Sequence, residues 1–363
     1  MYLCALNVGI CIYHKLLCIN ILQNTFYVDM KKVAIIGAGP AGIEAASVLA
    51  AHNCEVVLFE KSAAPLSNIL DKAFLFPDFS AAQELADRLT AKLLPENIKV
   101  LCEKEIVDIK KIDDEFKLFD KEGKTYIADN VLITTGYTLF DAHRKEELGY
   151  GIYKGVINSL DLERMIHYKQ ITNSMGEAPS KVVFLQCVGS RDEKSGNNYC
   201  SKVCCVTAVK QAIEVRKLLP DTEIYLYYMD LRMWGKGFEE LYREAQEKYD
   251  IRFVRGRISE ASATFDNKVQ IKSEDTLIGQ PLKMTTDLLV LMCGMEASQG
   301  TRTLAEACGI AGNYHFIATQ GPHLSDNATA VDGLFVAGTA KQPMSIRDTI
   351  TDADAAAFLI LSK

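Results

Sequence analysis

The segment KKVAIIGAGPAGIEAASVLAAHNCEVVLFEK, residues 31–61, leaves few folds open. Val33 to Ile36 form a short apolar run of the kind found in a strand buried on both faces. Gly37, Gly39 and Gly42 follow in G-x-G-x-x-G spacing, Ile43 to Ala51 carry helix formers, and Glu55 to Phe59 read as a second strand. Glu60 ends that strand, 18 residues after Gly42. The pattern is a βαβ unit with a physical job for each residue. Gly37 permits the tight turn, Gly39 lets the backbone approach a pyrophosphate at the helix N-terminus, and Gly42 permits close helix packing. Glu60 can accept hydrogen bonds from a ribose. A dinucleotide site is therefore expected on Gly37, Gly39, Pro40, Ala41, Gly42, Glu60 and Lys61.

Two later segments favour FAD over NAD as the occupant. NVLITTGY (130–137) reads as a buried strand ending at Thr134, Thr135 and Gly136. DGLFVAGTAKQPMSIRDTITDADAAAFLILS (332–362) reads as a strand ending at Gly338, a loop through Thr339, and a small-residue helix from Ile346. That order is the layout of an α/β flavoprotein with two dinucleotide-binding domains, like thioredoxin and glutathione reductases. In it the last strand and helix return to the first domain and cover the flavin. Val107 joins the candidate FAD contacts. The expected division is an FAD domain over 30–150 and 300–363, with a second domain over 151–299.

The second domain departs from that layout at its own nucleotide turn. KVVFLQC (181–187) reads as its first strand, Val203 to Leu219 as the helix, and EIYLYYMD (223–230) as the next strand. Ile251 to Glu260, Lys268 to Ser273 and DLLVLMCGM read as further strands. The glycine-rich turn is missing. Cys187, Cys200, Cys204 and Cys205 stand there instead, spaced C-x12-C-x3-C-C. Four thiolates can hold a [4Fe–4S] cluster beside a helix N-terminus, and adjacent ligands argue against a zinc ribbon. A redox disulfide and inert core thiols are the other readings of this spacing. Cys54, Cys102, Cys293 and Cys308 are isolated and read as small core residues.

Composition sets outer limits. The chain has 363 residues, 48% hydrophobic and 24% charged, enough for two domains with real cores. A formal net charge of −7 argues against a nucleic-acid binder. Residues 1–29 are apolar but lack a basic leader region and a cleavage site, and Met30 precedes the βαβ unit directly. They read as an extension outside the native fold, with a membrane-surface or partner-binding segment as the alternative. Cys4, Cys11 and Cys18 within them are set aside. Clustered cysteines without an export signal point to the cytoplasm.

FLQCVGSRDEKSGNNYCSKVCC with AVKQA after it, TTGYTLFDAHRKEELGYGIYKGVINSLDLERMI, and GLFVAGTAKQPMSIRDTITDADAAA together resemble the flavin-bearing A subunit of heterodisulfide reductase. They also resemble the related A subunit of the quinone-interacting membrane-bound oxidoreductase. The resemblance spans nearly all of 31–363. It implies FAD in the first domain and a [4Fe–4S] cluster on Cys187, Cys200, Cys204 and Cys205. It also implies work inside an electron-transfer complex with other subunits, membrane contact arising only through those partners. A homodimer is compatible with it. Lys210 matches a lysine that in the family approaches the flavin ring; the alternative is a solvated helix lysine. Three departures stand out. No ferredoxin-like cysteine run is present, Ser67 and Asn68 replace two glycines after Glu60, and no Cys-rich heterodisulfide-cleaving module is present. The rival readings are a self-sufficient NAD(P)H-dependent FAD oxidoreductase and a redox-sensing or scaffolding flavoprotein without turnover.

Overall fold

The computed structural model describes residues 30–363, so the expectation for residues 1–29 lies outside the described residues. The chain opens with β1 (Lys32–Ile36), α1 (Pro40–Ala51), β2 (Glu55–Phe59), α2 (Ser67–Leu70), α3 (Ala82–Ala91) and β3 (Ile98–Leu101). An antiparallel meander follows, β4 (Ile106–Ile112), β5 (Glu115–Asp120) and β6 (Thr125–Ala128), and then β7 (Asn130–Ile133). After the short β8 (Tyr137–Leu139) the chain enters a second body with β9 (Val156–Asn158), α4 (Ser159–His167), β10 (Lys181–Val188), α5 (Cys204–Leu218), β11 (Glu223–Tyr228), α6 (Phe238–Glu247) and β12 (Arg252–Arg255). A second meander, β13 (Ile258–Ala263), β14 (Val269–Asp275) and β15 (Gln280–Thr286), leads to β16 (Leu288–Cys293). The return to the first body runs through β17 (Met295–Ala297), α7 (Gln299–Ala307), β18 (Leu334–Val336) and α8 (Ile346–Leu361).

Two five-stranded parallel sheets carry the architecture. Their orders are β18-β7-β1-β2-β3 and β12-β11-β10-β16-β9. Aligned on β1 and β10 they are the same construction: two strands to one side, a three-stranded meander, then a fourth strand on the other side. Only the fifth strand differs, since β18 follows its sheet in sequence and β9 precedes its own. The antiparallel pair β8–β17 forms where the chain crosses between the bodies in both directions.

The residues explain the pairing. β1, β7, β16 and β18 are almost wholly buried apolar runs, as strands covered on both faces must be. Helices α1 and α8 share one core, in which Ala45, Ala46 and Leu49 meet Ala353, Ala356, Ala357 and Ile360. Alanines at that contact let the two helices approach closely.

The stretch Ile251–Glu260, expected as one strand, is two. β12 belongs to the parallel sheet and β13 to the meander. The break is at Gly256, where a side chain would lie 1.8 Å from the Glu274 carbonyl oxygen. The meander folds back there against bare backbone. The first meander, β15 and β9 escape the sequence pattern, because the meander strands are half-exposed with few long apolar runs and β9 is only three residues long.

Asp287 anchors the second sheet. Its Oδ2 accepts from Ser180 N (2.8 Å), Ser180 Oγ (2.6 Å) and Lys181 N (2.9 Å), and Lys268 Nζ stands 3.1 Å from Oδ1. Burial alone would raise this carboxyl, but these donors outweigh it and hold it below the usual carboxylate range. Its contribution is present above the ordinary carboxyl pKa and is lost as pH falls through the lowered one. Asp287→Ala is expected to cost about 3 kcal/mol in urea unfolding at neutral pH, and less in acid. An unchanged midpoint at neutral pH would contradict this role.

Candidate functional site

The carboxyl ends of β1 and β7 diverge at the point where strand order reverses, and a crevice opens there. Gly37 turns the chain with φ +110°, and a Cβ on it would lie 2.5 Å from the Thr134 carbonyl oxygen. Thr134 Oγ1 donates to the Gly37 carbonyl at 2.8 Å and fixes the turn from the other side. Gly42 backs it, with a Cβ position 1.9 Å from the Gly37 oxygen. Gly39 is different: nothing lies within 4 Å of where its Cβ would be. That open space faces a cavity of about 690 Å³. No side chain caps α1, so its first amides are left for a ligand.

Glu60 holds the adjoining corner. Its Oε2 accepts from Ala38 N (2.9 Å) and its Oε1 from Ser62 N (2.8 Å). Each oxygen retains a lone pair for ribose hydroxyls. Of the candidate FAD contacts, Gly37, Gly39, Pro40, Ala41, Glu60, Lys61, Thr134, Thr135, Gly136, Thr339 and Ile346 line the cavity. Gly42 and Gly338 stand behind the lining, packed on Gly37 and Ala41 respectively. Val107 does not line the cavity; its neighbour Ile106 does. Ser67 and Asn68 also line it, at the start of α2. Leu66, with φ +61°, turns the chain there and donates its N–H to the Ala38 carbonyl. These features fit a dinucleotide: an open glycine, free helix amides, a ribose-binding carboxylate and a cavity in the usual size range for such ligands.

The cavity extends into the second body, where Ser201, Val203, Cys204, Thr207, Lys210 and Gln211 form its wall. The cysteine arrangement follows from a bulge. The β10–β16 register shifts between Leu185 and Val188, and Cys187 within it takes φ +61°. The bulge carries Cys187 toward the start of α5, and the Cys204 thiol hydrogen-bonds with both Cys187 and Cys205 strongly enough to shift all three. Cys204 is raised by those bonds. The same Cys204 bond, with Arg191 beside it, lowers Cys187 to about 7 against the effect of burial. Cys205 is lowered by Cys204 and by the Arg232 backbone, again against burial.

Cys200 stands apart from these three, accepting from Lys202 N at 3.3 Å. Among the described residues, no group of three or more Cys, His, Asp or Glu side chains is arranged to hold a metal ion. Cys204 interacts with Cys187 and with Cys205, and the expected convergence of all four thiols stays a proposal. The donor chemistry fits a thiolate-ligated group, and both amide atoms of Gln186 and the Ser190 hydroxyl, in the same segment of chain as Cys187, are buried with no hydrogen-bond partner. At the turn where a nicotinamide nucleotide would bind in a glycine-rich domain, Phe140 packs against Gly189. A Cβ on Gly189 would lie 2.0 Å from the Phe140 ring. Of the isolated thiols, Cys54 and Cys293 lie in the core while Cys102 and Cys308 are half-buried; burial pushes Cys293 up to about 12 and Cys308 to about 11, and raises Cys54 and Cys102.

Lys210 is not a solvated helix lysine. It is 2% exposed, and its Nζ donates to Glu163 Oε1 (2.5 Å) and to the Phe74 carbonyl (2.9 Å). Sequence reasoning missed Glu163, which lines the same cavity and also accepts from Gln211 Nε2 at 2.8 Å. Its signal was faint: an acidic residue on the buried face of α4, a helix otherwise read only for its resemblance.

Fold and site together define a flavoprotein scaffold with two dinucleotide-binding domains. Thioredoxin reductase from Lactococcus lactis superposes with a TM-score of 0.65, covering 92% of this chain and 98% of that one at 18% identity. Residues 30–157 match the family of pyridine nucleotide-disulphide oxidoreductases, a match that implies FAD in the first domain. The sequence relatives are more specific. The A subunit of the H(2)/formate:CoB-CoM heterodisulfide,ferredoxin reductase from Methanococcus maripaludis is 43% identical over 238 residues, 63% of this chain and 36% of the relative. The iron-sulfur A subunit of the CoB-CoM heterodisulfide reductase from Methanocaldococcus jannaschii is 42% identical over 240 residues, with the same coverage. The chain is a homologue of the A subunit of heterodisulfide reductase. It spans about a third of the length of these relatives.

The two inner glycines make opposite predictions. Gly39→Val places a side chain in open space, so the protein should fold with little change in melting temperature and purify without FAD. Gly42→Val drives a side chain into backbone and should cost several kcal/mol of stability, on the order of an overpacked core. A folded Gly39→Val protein with full FAD absorbance would overturn the cradle assignment.

Proposed function

We propose that this chain is the FAD- and [4Fe–4S]-bearing electron-transfer subunit of a heterodisulfide reductase-like oxidoreductase complex. The observation that carries the reading is the single cavity running from the Gly37–Gly39 turn to Cys204 at the head of α5. One wall is a dinucleotide cradle and the other is a thiol cluster, so two redox groups held there would be neighbours. Bound FAD supplies the coupling between two-electron and one-electron chemistry.

The residues of the chain do the positioning. Gly39 and the first amides of α1 receive the pyrophosphate, and Glu60 takes the ribose. Ala337, Thr339 and Ile346, at the foot of α8, close the far end of the cavity. Cys187, Cys204 and Cys205 supply three thiolates, and Cys200 the fourth from the 191–203 loop. That loop is tied down by Tyr199 Oη donating to Met295 O (2.6 Å) and by Asn197 Nδ2 donating to Gly189 O (3.0 Å) and Glu296 Oε1 (2.8 Å). Phe140 packed over Gly189, in place of a glycine-rich loop, supports a reading without a nicotinamide dinucleotide at that turn. Electrons would then enter or leave through a cluster and a partner protein. The names of the relatives, each one component of a reductase, support a multi-subunit setting.

Electron paramagnetic resonance of dithionite-reduced protein tests the ligands. Cys187→Ala, Cys200→Ala, Cys204→Ala and Cys205→Ala should each lose or alter the cluster signal while retaining FAD, because the FAD contacts lie mainly in the other body. An unchanged signal in Cys204→Ala and Cys205→Ala would sink the assignment. NADH and NADPH should not bleach the flavin band rapidly; fast bleaching by either would favour a self-sufficient oxidoreductase.

A further inference from the structure

Behind the cavity wall lies a charge imbalance that the proposed function does not use. Lys210 is flanked by two carboxylates, Glu163 Oε1 at 2.5 Å and Glu214 Oε2 at 3.1 Å. All three side chains are buried, with exposures of 2%, 7% and 3%. Glu163 is well served, accepting from Lys210, Gln211 Nε2 and, at 3.4 Å, Ala73 N. Both oxygens of Glu214 lack a well-directed hydrogen-bond donor, and the nearby Gln211 Oε1 is also unpaired.

Among the described residues, the surroundings supply no second buried cation. The charged groups acting on Glu214 are Lys210 and Lys217 on its own helix and Glu163 on α4. Lys217 is exposed, with its ammonium over the Phe79 ring at 3.9 Å. β10, β11 and α6 share one apolar core with α5, through Val182, Phe184, Ile224, Leu226, Leu241 and Ala245. One ammonium and two ionised carboxylates would leave a net negative charge on side chains that are almost fully buried, a costly arrangement.

We propose that Glu214 is a proton-binding positioning residue that sets the charge of the Lys210 site at the cavity wall. With Glu214 protonated, the Lys210–Glu163 pair is neutral and the wall presents no net charge. When Glu214 releases its proton to solvent, the triad becomes negative, and negative charge on an occupant of the cavity is disfavoured. No bond other than the carboxyl O–H changes. Burial, with Glu163 adding to it against the pull of Lys210, raises this carboxyl to about 7, so the change falls near neutral pH. The coupling to the occupant rests on the FAD reading; the proton site does not.

Infrared titration of the FAD-loaded full chain tests both parts. A C=O stretching band of a buried carboxylic acid should disappear with a midpoint near 7 as pH rises, and should be missing from Glu214→Gln. Glu163→Gln removes the repelling carboxylate and should shift that midpoint down. Lys210→Met removes the stabilising cation and should shift it up. These two variants decide the matter if Glu214→Gln does not fold. Wild-type melting temperature should fall relative to Glu214→Gln between about pH 5 and about pH 8, because a group raised in the folded state loses its contribution as pH passes that raised value. The potential of bound FAD should show an extra pH-dependent step near neutrality that Glu214→Gln lacks. No titrating band in wild type, a band that persists in Glu214→Gln, or midpoints unmoved in the other two variants would overturn the proton site. A titrating band with identical potential profiles would overturn its coupling to the cavity. The infrared result is independent of cluster content and electron transfer, so its failure is distinguishable from failure of the functional reading.

Discussion

The Thr134 carbonyl occupies the space where a side chain on residue 37 would stand. That contact brings the ends of β1 and β7 together, and the first body is organised around it. It requires glycine at 37, aims the N-terminus of α1 into the crevice and places Glu60 beside the same opening. Gly42 must then be small because the turn folds back upon it. The cavity is what remains when backbone packs this tightly behind a turn and nothing packs in front of it. Gly39, the one inner glycine with no neighbour at its Cβ position, marks the opening that a ligand would fill.

The second body repeats the sheet and changes the turn. In β1 the strand runs straight into a glycine loop. In β10 it bulges, and the equivalent region carries a thiol in a left-handed conformation, with a glycine beneath Phe140. One sheet geometry thus delivers a glycine turn in one body and a thiol-bearing turn in the other. One cavity is lined by residues of both turns, and on the proposed function the difference between them would matter for electron flow and not only for packing.

Much of this was readable from residues. The βαβ unit, the returning strand and helix, and the cavity-lining glycines all follow from local spacing, because each depends on a steric rule that few residues satisfy. The first meander and β15 did not, since half-exposed strands such as β6 and β15 lack a distinctive apolar run. Of the four cysteines, sequence placed all at one end of the sheet, and the structure joins Cys187, Cys204 and Cys205. Cys200 sits in a polar loop whose path is set by Tyr199 and Asn197 reaching across to β17 and Glu296, contacts between distant parts of the chain. Glu163 and Glu214 were invisible for the same reason. Each is an ordinary helix glutamate until α4 and α5 pack and close around Lys210.

The central claim is that a dinucleotide cradle and a thiolate cluster share one cavity. Its most direct test is the iron, acid-labile sulfide and FAD content of anaerobically purified full-length chain. The account predicts one FAD together with one cluster's complement of iron and sulfide per chain, all lost only when both sets of ligands are removed. FAD-replete protein without iron or sulfide, carrying the four cysteines as free thiols or as a disulfide after anaerobic reconstitution, would contradict it.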